Sequence, residues 1–301
     1  MLGGSIGAGE FYSILSACFW ASAVILFRLG GRSVTPFALN LFKDSIGLLL
    51  FLVTLLLVGI PFWPAAVPLS DWLILLASGA VGIGIADTLF FASLNRLGAV
   101  GSAIVDCLYS PFVVISAALY LHEPLGLGLL VAMGLMIAAL LLGIEPPPAH
   151  AGEAPAAANG RAGVLLGATA MLLMAVAIVG AKPVLERVDP WWATAVRLTG
   201  GVLLLAVQGT FRQNRAAVRA CFRPGPHWRV TLPSAVIGAY GAMITWILGM
   251  QLTHASIAGI LNQLSTLLVI PLAAIFLHEP LRPRRVLAVL LGMLGGFIVV
   301  H

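Results

Sequence analysis

Charge is what this chain has least of: 11 acidic and 16 basic residues in 301, or 9% charged side chains, against roughly a quarter in soluble domains. So few charges exclude a water-soluble fold, and with it a soluble signalling domain of the kind a sensor or scaffold would carry. Cysteine is also scarce. Cys18, Cys107 and Cys221 are far apart, two of them inside apolar runs, in no disulfide or metal-ligand spacing, and read as packing residues. Five of the six histidines fall in loops, at helix ends or at the C-terminus, His254 opens an apolar run, and no two make a ligand pair on one helix face. No Gly-rich phosphate loop and no nucleophile with its base stand out, so no cofactor, metal or catalytic residue is expected, and a membrane enzyme is the less favoured class. The N-terminus lacks the basic region of a signal peptide, and its apolar run continues to about Phe27, too long for a cleaved segment; it reads as the first membrane helix.

What remains is apolar: 60% of residues, with a mean hydropathy of +1.07. A hydrocarbon core about 30 Å thick takes roughly 20 such residues per helix. Runs at 10–29, 35–59, 71–95, 98–120, 125–144, 161–181, 189–211, 229–251, 254–277 and 281–300 predict ten transmembrane helices in an all-α polytopic membrane protein. Prolines 61, 64 and 68 after the second run, and 224 and 226 after the seventh, mark stops. Residues 145–160, rich in Pro and Ala, read as a flexible linker between a first five-helix repeat (1–144) and a second (161–301).

The halves repeat each other. His122-Glu123-Pro124-Leu125 recurs as His278-Glu279-Pro280-Leu281, 156 positions on, and the same offset carries Leu94 to Met250, Ala99 to Ala255, Ala103 to Gly259 and Asp106 to Asn262. An offset of 154 carries Pro36 to Pro190 and Lys43 to Arg197. With five helices each, the repeats must be inverted in the membrane, and loop charges follow: Arg28, Arg32 and Arg96 of the first repeat, with Arg161 at the linker, fall on the same face as Arg212, Arg215, Arg219, Arg223, Arg229, Arg282, Arg284 and Arg285. That face holds 12 of the 16 basic residues, the other only Lys182 and Arg187. The basic face is expected to be cytoplasmic and both termini outside. Because the arginines set topology, the net charge of +5 implies no nucleic-acid partner.

Two five-helix repeats, each with Glu-Pro just after its fourth helix, resemble the EamA-type transporters of the drug/metabolite transporter superfamily. Phe19-Trp20, the Pro36–Lys43 and Pro190–Arg197 stretches and Leu94-Asn95-Arg96-Leu97-Gly98-Ala99 carry the likeness, which spans nearly the whole chain. The resemblance implies an exporter of small metabolites or drugs in a bacterial inner membrane, working by alternating access around a cavity lined by helices 1, 3, 4, 6, 8 and 9. Relatives commonly have cytoplasmic termini; the charge count here says the opposite.

Ionisable groups inside a bilayer normally face a cavity or each other. There are five: Lys43, Asp44, Asp87, Asp106 and Arg197. At 1.5 Å per residue the first four share a layer roughly 12 Å deep. A lysine among three carboxylates is either a proton-coupling site, with Asp87 and Asp106 as the candidates, or a static ion pair that fixes packing and leaves a facilitative carrier. Inversion puts Arg197 and Asn262 at matching depth from the other face, where position 243, opposite Asp87, is Met. Ser102, Asp106 and Tyr109 form one polar stripe, and Gly259, Asn262, Gln263 and Thr266 its counterpart, as two walls of a pathway. Pro111 and Pro271 are expected to bend those helices, and Trp20 and Tyr240 to line the cavity. Trp63, Trp72, Trp191 and Trp192 are expected at the interfaces, Glu123 and Glu279 to brace turns, and Gly292 and Gly296 to pack closely. Lys43 suits a carboxylate and the aspartates an amine or a proton, which points to a zwitterion such as an amino acid. The expected partners are a small-molecule substrate and the lipid bilayer, with the protein a monomer or homodimer.

Overall fold

The computed structural model describes residues 7–31, 33–143, 156–278 and 283–300, and every regular element among them is helical. Helix α1 spans Ala8–Gly30, and α2 spans Pro36–Val58. The Thr35 hydroxyl accepts the Ala38 N–H at 3.4 Å and Pro36 sits at the first turn, so α2 starts there. It stops at Gly59, whose φ of 78° is open to glycine at no steric cost. Next, α3 (Leu69–Gly79) runs through a π-helical stretch, Ala80–Ala86, into α4 (Asp87–Asp106). Gly98, at φ 76° and ψ 176°, breaks α4 where the third and fourth apolar runs were expected to divide. Then come α5 (Tyr109–Tyr120), α6 (Leu127–Gly143), α7 (Ala156–Leu185) and α8 (Pro190–Gly209), the last capped by the Asp189 carboxylate on Trp191 and Trp192 N–H. The chain closes with α9 (Arg212–Phe222), α10 (Trp228–Ser234), a second π-helical stretch (Ala235–Ala242), α11 (Met243–Leu252), α12 (Ala255–Asn262), α13 (Leu264–Leu277) and α14 (Pro283–Val300).

Seven of these segments are long and apolar enough to cross a membrane: Ala8–Gly30, Pro36–Val58, Leu69–Ser102, Gly160–Leu185, Pro190–Gly209, Trp228–Leu252 and Ala255–Leu277. Shorter apolar helices, Ile104–Tyr120 and Leu127–Ala139, accompany them. Leucines 57, 119, 127 and 165 are between 69% and 83% exposed, the surface of a protein solvated by lipid. Three expectations are corrected. The stretch read as a linker to residue 160 is already helical from Ala156; its part up to 155 lies outside the described residues, as do Arg32, Arg282, Glu279 and Pro280. The arginine-rich connection after the seventh run is itself a helix, α9. And on α14 it is Gly295, not Gly292, that packs closely: a Cβ there would lie 3.0 Å from the Ala132 carbonyl, whereas at Gly292 it would meet nothing.

The repeat seen in the sequence is also a repeat of contacts. A Cβ on Gly249 would meet the Ser13 hydroxyl at 2.4 Å and one on Gly167 would meet that of Ser93 at 2.7 Å, with the glycine and serine exchanged between equivalent positions. Likewise Gly47 packs against Ala239 and Gly201 against Ile83, so each π-helical stretch lies against the second helix of the other repeat. Arg28 donates to the Leu94 and Asn95 carbonyls at 3.3 and 3.1 Å, and its equivalent Lys182 to those of Met250 and Thr253 at 2.7 and 2.9 Å. Both cations thus answer the free carbonyls at a helix C-terminus, which is why Lys182 stands on a face otherwise almost without basic residues. His122 and His278, heading the repeated tetrapeptides, are the two non-glycine residues with positive φ among those described, both at 56°. Glu123 braces the other repeat with its side chain: the carboxylate accepts from the N–H groups of Ala255 (2.9 Å) and Ser256 (3.1 Å) and the Ser256 hydroxyl (2.6 Å), capping α12.

Candidate functional site

The site is built where the π-helical stretch after α3 meets α2 and α8. A π turn leaves carbonyls without their usual i+4 donors, and Asn40 supplies one, its Nδ2 lying 2.9 Å from the Ile83 carbonyl, 3.3 Å from that of Gly84 and 3.0 Å from the Thr88 hydroxyl. One turn on along α2, Lys43 Nζ donates to Asp44 Oδ1 and Asp87 Oδ2, both at 2.6 Å, and sits 5.5 Å from the Phe91 ring centre. Lysine and both aspartates are no more than 5% exposed. One cation thus serves two carboxylates, leaving the triad with a formal charge of −1.

Arg197 comes in from α8. Gly79 and Gly200 let that helix touch α3 backbone to backbone, since a Cβ on Gly79 would fall 1.7 Å from the Arg197 carbonyl and one on Gly200 2.1 Å from that of Leu76. The guanidinium, in a residue 4% exposed, donates from Nε to the Ser78 hydroxyl at 3.1 Å; that hydroxyl in turn donates to the Ala177 carbonyl at 2.7 Å. Its Nη1 has no hydrogen-bond partner among the described residues.

Between these groups lies a cavity of about 100 Å³, lined by Trp20, Asp87, Asp106, Tyr109, Arg197 and Asn262 together with Ser16, Met174 and Trp246. It has room for several waters or one small solute, at roughly 10–15 Å³ per water. Asp106 lines this space, and the buried Asn262 Oδ1 beside it has no hydrogen-bond partner among the described residues. The fourth and ninth apolar runs are both interrupted beside it, between α4 and α5 at Cys107–Leu108 and between α12 and α13 at Gln263, which are equivalent positions of the two repeats. One gap serves the other: Gln263 Nε2 donates to the Asp106 carbonyl at 3.0 Å, while Thr266 Oγ1, three residues on, donates to Gln263 Oε1 at 3.4 Å. Broken helices meeting inside a bundle provide polar backbone where a solute can use it.

Six of the residues singled out from the sequence therefore share one cavity: Trp20, Asp87, Asp106, Tyr109, Arg197 and Asn262. Lys43 stands behind Asp87 and does not line the wall, and Gln263 lies behind Asp106. Thr266 faces a separate space of about 10 Å³, beside Trp20 and Asp106. Tyr240 points elsewhere. Its position corresponds to Gly84, on the side of the π stretch turned to α2, so its hydroxyl meets that of Thr54 at 2.7 Å and its ring packs 4.8 Å from Phe51. Pro271 does not cause the break at Gln263, eight residues earlier, whereas Pro111 sits in the first turn of α5, where proline is tolerated. Ser78, Asn40 and Trp246 were not foreseen; a polar residue one turn before Lys43 was the available signal for Asn40.

A helical, lipid-exposed protein with paired broken helices around a buried charged cavity belongs structurally among polytopic membrane transporters. Comparison with known proteins narrows this: the chain belongs to the EamA-like transporter family, whose model matches twice, over residues 7–144 and 161–301. Among solved structures 29 chains match, one of them described only as "Crystal structure of protein", with a TM-score of 0.70 and 19% identity over 98% of this chain and 96% of that one, a likeness of fold. No curated protein matches the sequence.

Proposed function

We propose that the protein is a secondary transporter, an exporter of small amino-acid-like or drug-like metabolites, that works by alternating access and is proton-coupled through Asp87 and Asp106. The observation that carries this is the cavity's pairing of opposites: Arg197, whose Nη1 has no hydrogen-bond partner among the described residues, and Asp106 line one small space. A zwitterion offers a carboxylate to the first and an ammonium to the second, and Trp20, Tyr109 and Trp246 give its side chain an apolar bed. Arg197 replaces Lys43 as the carboxylate ligand in this reading, because Lys43 is already held by Asp44 and Asp87.

In the same proposal the chain crosses a bacterial inner membrane ten times, as two inverted five-helix repeats (1–144 and 161–301) joined through 145–160, with the arginine-rich face cytoplasmic and both termini outside. It acts as a monomer or homodimer. Rocking of one repeat against the other would open the cavity to each side in turn. The close Lys43–Asp44–Asp87 pairing favours a second reading, a facilitative carrier whose buried charges only fix the packing.

Uptake of a labelled amino-acid and metabolite panel into inside-out and right-side-out vesicles, with and without a pH gradient, separates the two. Gradient-driven flux lost in Asp106→Asn supports proton coupling and names the substrate; flux indifferent to gradient and substitution supports the facilitative carrier. No flux of any member would sink the zwitterion.

A further inference from the structure

Helix α9 carries Arg212, Arg215 and Arg219 at spacings of three and four, which places them on one stripe. Like charges so spaced oppose the helix that holds them, and two of them stand in its first turn, where the dipole already disfavours cations. Nothing in the sequence offsets them: no acidic residue occurs between Asp189 and Glu279, and no ion pair to these arginines is formed among the described residues. The helix is nevertheless firmly docked. Cys221 is buried with Ala38 and Phe42, the Phe222 ring lies 5.3 Å from that of Phe42, and the Cys221 carbonyl accepts the Trp228 indole N–H at 3.0 Å.

Docked in this way, α9 closes one end of a groove of about 400 Å³ between α2 and α8, both long and apolar enough to span the membrane. Leu41, Val202, Ala206, Val218 and Phe222 make it apolar, and Thr210 lies at its arginine end. Arg215 shares a helix face with Val218 and Phe222 and donates from Nε to the Thr210 carbonyl, which fixes its guanidinium at the groove mouth.

We infer that this groove binds an anionic phospholipid of the surrounding bilayer: its phosphate on Arg215 with Arg212 and Arg219 beside it, one acyl chain along Leu41 and Ala206. The charge is complementary, the groove opens from membrane-spanning helices, and a lipid of that leaflet supplies headgroup and chain together.

Native mass spectrometry of the purified full chain, with phosphatidylglycerol or phosphatidylcholine added to the detergent, tests this. Wild type should retain phosphatidylglycerol about tenfold better. The triple variant R212Q/R215Q/R219Q should bring the two lipids to near parity, R223Q/R229Q, which removes two charges of the same sign from the segment just after α9, should keep the preference, and Ala206→Trp should reduce retention of both. All these residues are exposed, and thermal unfolding of each variant serves as the check on folding. The inference is overturned if the triple variant keeps its preference, if R223Q/R229Q loses it equally, or if Ala206→Trp changes nothing.

Discussion

Lys43 Nζ and Asp87 Oδ2 stand 2.6 Å apart, and of the two only the aspartate reaches the cavity. A ligand or a proton arriving there meets a carboxylate whose charge is already shared with a lysine, and that lysine is shared again with Asp44. Arg197 on the far wall offsets the triad's formal −1. Asp106 takes part in no ion pair among the described residues, which is why the proposed coupling involves it together with Asp87.

Lys43→Met should be severely destabilising, because it strands two buried carboxylates; breaking a buried ion pair from one side costs about 3–5 kcal/mol. Removing all three charges in Lys43→Met/Asp44→Asn/Asp87→Asn should restore most of the loss. Thermal unfolding in detergent measures both. A single variant that melts with the wild type would mean the triad adds nothing to packing.

Arg197→Gln should raise the KM of a carboxylate-bearing substrate about tenfold or more, the worth of one charged hydrogen bond. Arg197→Lys should not rescue it, since a single ammonium cannot span from Ser78 into the cavity as the guanidinium does. An unchanged KM with a reduced maximal rate would place Arg197 in the conformational cycle instead.

Much of the fold was legible because lipid permits so few solutions: apolar runs and the repeated His-Glu-Pro-Leu already marked the helices and their pairing. Charges stranded in those runs pointed to the cavity for the same reason. The π-helical stretches were not legible, since the two glycines in each of Ala80–Ala86 and Ala235–Ala242 fit a closely packed membrane α-helix equally well. Those stretches decide which way Tyr240 faces and why Asn40 is needed. The arginine-rich connection carries a helical period in Arg212, Arg215 and Arg219 but is too short and polar to read as a membrane helix, and its docking as α9 depends on Ala38 and Phe42, far away in sequence.

Glu123→Ala should weaken the contact between the repeats. It removes three hydrogen bonds at the start of α12, one of them from a hydroxyl at 2.6 Å, and loss of such a cap costs about 1–2 kcal/mol. A lower melting temperature for Glu123→Ala, with Glu123→Asp intermediate, is expected; equal melting of all three would show the cap to be dispensable.

Glycine sites differ sharply. Gly79→Ala would drive a methyl to 1.7 Å from the Arg197 carbonyl, with backbone on both sides and nothing flexible to yield, so the folded protein should be lost from size-exclusion profiles. Gly180→Ala meets nothing within 4 Å and should be neutral or stabilise by up to about 1 kcal/mol. Normal profiles for both would mean that α3 and α8 are not in backbone contact.

Cys221 reports whether α9 stays docked. Burial against α2 pushes its thiol up to about 11, from an ordinary value near 9. A raised pKa favours the neutral form, so at pH 8 only about one thiol in a thousand is the reactive thiolate, and the fraction grows about tenfold per pH unit. In a Cys18→Ser/Cys107→Ser background, maleimide labelling of the folded protein should be very slow at pH 8 and accelerate steeply toward pH 11. Denaturant at pH 8 should abolish that protection. Rapid labelling at pH 8 without denaturant would mean that α9 lifts away from Ala38 and Phe42, and that the groove it closes is open at that end.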